Sequence, residues 1–263
     1  MIYVKGIQIP GMETRVPRRL YVFLPGDYRR SRLRYPVLYM FDGHNVFYDS
    51  HATYGKSWGM KEYLEHTRQP LILVGIECNP EGNCRLSEYS PWDFTRPELG
   101  LIPGRGGQTV EWMVSLLKPE IDRRYRTLPD REHTWIAGSS MGGLMSLYAV
   151  TARNDVFSRA AALSPSLWAG GRRLPELIRT AAFSVPTRIY LDTGTGEQPP
   201  EQHRDMAALF ETAALLTAAG ADVSARLVPG ALHNEAAWEK RIPAFFDYLG
   251  PLNPAPDGRE ANT

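Results

Sequence analysis

The chain has 263 residues, 43% of them apolar and 22% charged, a balance that excludes a disordered protein and fits one large folded domain. With 30 basic residues against 29 acidic ones the formal net charge is +1, so a nucleic-acid binder with a basic stripe is not expected. Two cysteines, Cys78 and Cys84, are too few for a disulfide framework and lack the second pair of a zinc site.

The N-terminal run Met1-Ile2-Tyr3-Val4-Lys5-Gly6 has no apolar signal segment, and no apolar stretch approaches the roughly 18 residues of a membrane span. A cytoplasmic protein with two reduced thiols is expected, with no nucleic-acid or membrane partner; homo-oligomerisation is left open. Strands are expected over 1–9 and 19–24. The run Val37-Leu38-Tyr39-Met40-Phe41 is continuously apolar, as in a strand buried on both faces of a parallel sheet. It ends in the turn-forming cluster Asp42-Gly43-His44-Asn45. A helix is expected over 57–67, and a second apolar strand over 71–76.

A Pro- and Gly-rich loop then runs over 78–107, and loops this long inside a compact domain tend to be functional. Val110, Met113, Leu116, Leu117 and Ile121 recur at helical spacing and predict a helix over 108–125, kinked at Pro119. Strands are expected over 134–137, 159–163, 187–192 and 222–228. Helices are expected over 144–152, 172–181, 202–219 and 236–249. The Pro-rich, polar end, 251–263, reads as a disordered tail. The alternation of strand and helix predicts one α/β domain over 1–250: a mostly parallel central sheet, helices on both faces, and an antiparallel edge from the first two strands.

The run Gly138-Ser139-Ser140-Met141-Gly142 matches G-x-S-x-G, with a strand before it and a helix after it. That context is what a nucleophile elbow requires. The serine sits in a strained turn, so the residues two places away must be small. The turn raises the hydroxyl above the sheet and aims the N–H of Met141 at a developing oxyanion. The competing reading is a Gly-rich turn with an idle serine.

A serine hydroxyl needs a base to take its proton. In this chain order the acid and then the histidine follow the serine, which leaves His203 and His233. His203 falls inside an expected helix, whereas His233 follows the last strand in a loop able to reach the elbow. The acid must lie between, after a strand. Glu197, in the loop beyond the strand at 187–192, is favoured over Asp192, at that strand's end. A second oxyanion donor is expected from Asp42-Gly43-His44, through the N–H of His44; the rival reading makes the His44 side chain a substrate contact. Trp58, Tyr89, Trp92, Trp168 and Trp238 are candidate pocket residues for an aryl or sugar ester, with core packing as the alternative for each. Trp112 and Trp135 read as core. No metal or organic cofactor is called for.

These residues together resemble the "Putative esterase" family, which includes feruloyl and acetyl-xylan esterases, siderophore esterases, esterase D and the mycolyltransferases of the antigen 85 complex. The matching runs include 37–45, 88–92, 138–144, 163–168, 194–197 and 230–234, in the family's order. The resemblance implies an α/β-hydrolase fold and cleavage of a carboxylic ester, or acyl transfer by the same triad. It implies Ser140 as nucleophile, His233 as base, the acid at Glu197, and oxyanion donors on the backbones of His44 and Met141. Siderophore esterases tend to carry two aromatics after Ser-Pro-Ser; here Trp168 is followed by Ala169.

Overall fold

The structure is a computed structural model and describes residues 1–197 and 204–256. The strands are β1 (Ile2–Ile7), β2 (Arg18–Phe23), β3 (Leu33–Arg34), β4 (Val37–Phe41), β5 (Ile72–Ile76), β6 (Phe94–Arg96) and β7 (Gly100–Ile102). They continue with β8 (Thr134–Ser139), β9 (Arg159–Leu163), β10 (Arg188–Gly194), β11 (Asp222–Val228) and β12 (Ala255–Pro256). The α-helices are α1 (Met60–Thr67), α2 (Cys84–Glu88), α3 (Gly106–Trp112), α4 (Lys118–Arg124) and α5 (Met141–Ala152). After them come α6 (Leu167–Gly170), α7 (Arg173–Thr180), α8 (Arg204–Ala218), α9 (Glu235–Glu239) and α10 (Ile242–Leu249).

Eight strands form one sheet in the order β1-β2-β5-β4-β8-β9-β10-β11. β2 runs antiparallel to both neighbours, and every pair from β5 to β11 is parallel. This is the α/β-hydrolase architecture expected from the sequence. The apolar runs of the inner strands feed two cores at once, because successive side chains point to opposite faces. On β4, Val37, Tyr39 and Phe41 join the core shared with α3, α5, α7 and α8, while Leu38 and Met40 join the core shared with α1 and α10. Trp112 and Trp135 are both buried, as expected.

Four expectations change. The helix at 108–125 is interrupted: a π turn, Met113–Leu117, separates α3 from α4. Pro119 has no N–H to donate, and its ring would collide with the carbonyl four residues back; a wider turn relieves both. The helix at 236–249 is two helices, α9 and α10, broken around Arg241, with Pro243 in the first turn of α10, where its missing N–H costs nothing. The loop at 78–107 carries α2 and the β6–β7 hairpin, and it is anchored by a buried Arg18–Glu88 ion pair of 2.8 Å. The tail folds back at its start: Leu252 is buried and β12 pairs with β3. Residues 257–263 and His203 lie outside the described residues.

Candidate active site

β8 passes into α5 through Ser140, whose φ of 56° and ψ of −123° lie outside the basins open to a residue with a side chain. Three backbone hydrogen bonds hold it there. Ser140 N–H donates to Leu163 O at 2.9 Å, and Ser140 O accepts from Ser166 N at 3.0 Å and Leu144 N at 3.1 Å. The glycines are required by contact. A Cβ on Gly138 would lie 2.6 Å from Gly142 O, and one on Gly142 would lie 3.0 Å from Phe41 Cβ. Ser140 Oγ lies 3.3 Å from Ser166 Oγ.

β10 and β11 are neighbours, so the loops at their C-terminal ends emerge together. The first carries Glu197 and the second His233, and Nδ1 of His233 lies 2.8 Å from Glu197 Oε2. The other carboxylate oxygen, Oε1, accepts from Ser164 Oγ at 2.6 Å, Gly194 N–H at 2.6 Å and Arg241 Nη2 at 3.1 Å. Ser164 Oγ also accepts from Trp238 Nε1 and Arg241 Nη1, so its one proton goes to Glu197. Burial alone would raise the Glu197 carboxyl, but the hydrogen bonds from His233, Ser164 and Gly194 outweigh it and hold it down to about 2. An ionised Glu197 can only accept. The Nδ1–H of His233 therefore points at it, and the Nε2 lone pair is left free. Asp192, the rival acid, is fully buried and bonded to Arg241 Nη1 at 2.9 Å and Tyr190 OH at 2.8 Å; Glu197 is the carboxylate that touches the imidazole.

β4 and β8 are adjacent and parallel, so the Asp42-Gly43-His44 loop stands beside the elbow. The loop is tight: a Cβ on Gly43 would lie 2.5 Å from the backbone carbon of Gly75. Asp42, at φ 55°, is clamped by Arg85 through a two-pronged ion pair of 2.8 and 2.7 Å. Its N–H donates to Tyr89 OH at 3.0 Å. Among the described residues, neither His44 N–H nor Met141 N–H has a hydrogen-bond acceptor. Each stands where a helical turn begins and no intrahelical acceptor is available. The His44 ring is bonded through Nε2 to Thr53 Oγ1 at 3.0 Å, and burial lowers its affinity for a proton.

Ser140 and His233 line two connected hollows. The larger, of about 620 Å³, adds His44, Asn45, Asn79, Arg85 and Glu235. The smaller, of about 370 Å³, adds Arg96, Pro165, Ser166, Leu167 and Trp168. Of the five aromatics expected in a pocket, Trp168 and Trp238 line these walls and three do not. Trp58 is buried and stacks on Trp238 at 5.8 Å. Tyr89 is buried and serves Asp42 with its hydroxyl. Trp92 packs edge-on against Tyr148 at 5.6 Å. In each case the ring contributes more by burial than by lining a wet cavity.

Asp42, His44 and Cys78 place potential ligand atoms within 4.8 Å of one another. They do not fit a cation: both Asp42 oxygens are taken by Arg85, and burial pushes the Cys78 thiol well above its usual range. Sequence reading missed Arg85, Ser164, Glu235 and Arg241. Ser164 was within sight, in the Ser164-Pro165-Ser166 run, but Arg241 carried no signal, since a lone basic residue in a helical pattern reads as solvated.

The "Putative esterase" sequence profile matches residues 12–249. Among curated relatives, the "Uncharacterized protein YbbA" of Bacillus subtilis is 25% identical over 70% of this chain and 71% of its own length. The siderophore triacetylfusarinine C esterase of Aspergillus fumigatus is 25% identical over 54% of this chain, which spans about half of that protein, 48%. Among solved structures, an IroE-like serine hydrolase from Shewanella oneidensis superposes with a TM-score of 0.74 at 21% identity, covering 95% of this chain and 79% of that one. No helix among the described residues is long and apolar enough to cross a membrane. The chain thus belongs to the "Putative esterase" family, and it is an ester hydrolase built on the α/β-hydrolase fold.

Proposed function

We propose that the chain is a serine esterase that works through an acyl-enzyme, with Ser140 as nucleophile, His233 as general base and Glu197 as the acid that orients it. The observation that carries this reading is the strained Ser140 sharing its cavity with an imidazole whose Nδ1 is engaged by an ionised Glu197. On substrate entry the Ser140 hydroxyl turns from Ser166 toward Nε2 of His233. Oγ attacks the ester carbonyl as its proton passes to Nε2. The oxyanion gathers at the free N–H groups of His44 and Met141, each worth roughly 3–4 kcal/mol to the transition state. The C–O bond to the alcohol then breaks and the proton leaves with that alcohol. Water repeats the sequence on the acyl-enzyme and releases the acid.

The two hollows suit the two halves of an ester. The larger is rich in hydrogen-bonding side chains and fits a hydroxylated alcohol or sugar. The smaller, with Trp168, Leu167 and Pro165, fits a short or aryl acyl group. The free thiols, Cys78 buried and Cys84 exposed, suit a reducing compartment, the cytoplasm. The test is turnover of a panel of p-nitrophenyl, aryl and acetyl-sugar esters by the wild type and Ser140→Ala. The variant is expected to lose several orders of magnitude in kcat/KM on every ester cleaved; near-full activity would overturn the assignment. A second reading, a siderophore esterase, draws on the fusarinine esterase relationship. It predicts that a siderophore triester outcompetes simple aryl esters in the same panel.

A further inference from the structure

The site holds a buried cation that the chemistry above does not use. Arg241 lies between α9 and α10 with its side chain only 2% exposed. Its two terminal nitrogens reach four acceptors, one on β10 and one on each of the loops after β9, β10 and β11. Nη1 donates to Asp192 Oδ1 and Ser164 Oγ, both at 2.9 Å. Nη2 donates to Glu197 Oε1 at 3.1 Å and to Leu232 O, next to His233, at 3.3 Å. Among the described residues its Nε has no partner, so the guanidinium is aimed at the acid loop at the expense of its own third nitrogen position. A cation in a dry site costs a great deal to bury, and the fork is the geometry that reads two carboxylates at once.

We propose that Arg241 is a positioning residue that sets the basicity of His233 through Glu197. This rests on the reading of Glu197 and His233 given above. The carboxylate of Glu197 stabilises the imidazolium form of His233. Arg241, in contact with the opposite oxygen, withdraws part of that stabilisation, so the imidazole gives up its proton at lower pH. The low proton affinity of the Glu197 carboxyl agrees with a site held firmly anionic. Other charged groups bear on His233 as well. Glu235 on α9 lines the same cavity, and Asp42 and Arg85 neutralise each other across it. Asp192 lies behind Arg241, and its carboxylate is farther from the imidazole along the chain of contacts than the guanidinium is. Removing Arg241 and Asp192 together therefore leaves Glu197 more effective, and the histidine holds its proton to higher pH.

The pH dependence of kcat/KM on p-nitrophenyl acetate reports the free enzyme's base. Arg241→Met alone strands Asp192 without a counter-ion in the core, so the decisive variant is Asp192→Asn with Arg241→Met, which deletes the buried pair as a unit. Its acidic limb is expected to move up by about one pH unit. Arg241→Lys keeps the charge but loses the fork, and is expected to lower kcat with the limb near its wild-type position. An unmoved or lowered limb in the folded double variant would overturn the proposal, as would a Lys variant that shifts as far as the double variant. Glu197→Gln is measured alongside. If it retains full activity, the reading of the acid itself has failed; if it is inactive while the limb stays fixed, only the role of Arg241 has.

Discussion

Ser140 shows how a single residue's conformation depends on the smallness of its neighbours. Gly138 meets Gly142 O at a hypothetical Cβ distance of 2.6 Å, and the atoms it would strike are Gly142 backbone, which has no flexible side chain to give way. Gly138→Ala is expected to destabilise the fold by about 1–3 kcal/mol and to remove most activity, read by urea denaturation beside ester turnover. Glu197 yields a pH prediction. Its folded carboxyl sits at about 2 against an ordinary 4.5, so its contribution to stability is complete above 4.5 and is lost as pH falls toward 2. Glu197→Gln should flatten that part of the stability–pH curve, measured by denaturant midpoints from pH 6 down to about 2.5. The meeting of Ser140, His233 and Glu197 at one place was legible because a steric motif, a chain order and a post-strand loop each single out a position; their roles rest on the proposed function. Trp58, Tyr89 and Trp92 were misplaced because an aromatic beneath a cavity and one on its wall have the same sequence signature.

At the scale of elements, the eight strands of the main sheet were legible to within two residues at each end, since an apolar run bounded by turn residues has few other readings, whereas the short β3, β6, β7 and β12 carry too few residues to show a pattern. The longer helices were legible in existence but not in continuity, and the short α2 and α6 were not read at all. Neither the π turn before Pro119 nor the break at Arg241 disturbs the periodic pattern that reveals a helix. The loop after β4 depends on the Asp42–Arg85 clamp, whose Asp42 side chain is only 7% exposed. Arg85→Met leaves that carboxylate in the protein without its cation. It is expected to cost of order 2 kcal/mol and to lower kcat more than it raises KM, because the His44 N–H loses its fixed aim. Thermal denaturation and steady-state kinetics check the two halves separately; an unchanged kcat in a destabilised variant would separate the clamp from the proposed oxyanion donor.

At the scale of the molecule, one sheet separates two cores and brings the C-terminal ends of β4, β8, β10 and β11 to a common edge. Ser140, His44, Glu197 and His233 are far apart in sequence and meet because parallel strands deliver their loops to the same side. The closing turn of the described chain belongs to this body. Deleting 251–263 removes buried Leu252 and the β12–β3 pairing, and should lower stability by about 1.5–3 kcal/mol with activity retained at low temperature. The central claim, that Ser140 is the nucleophile, is tested most directly by treating the enzyme with a serine-directed phosphonate and mapping the adduct by peptide mass spectrometry. The expected result is one modification, on Ser140, appearing in step with loss of ester turnover. Turnover lost with the adduct on another residue, or retained with Ser140 fully modified, would contradict it.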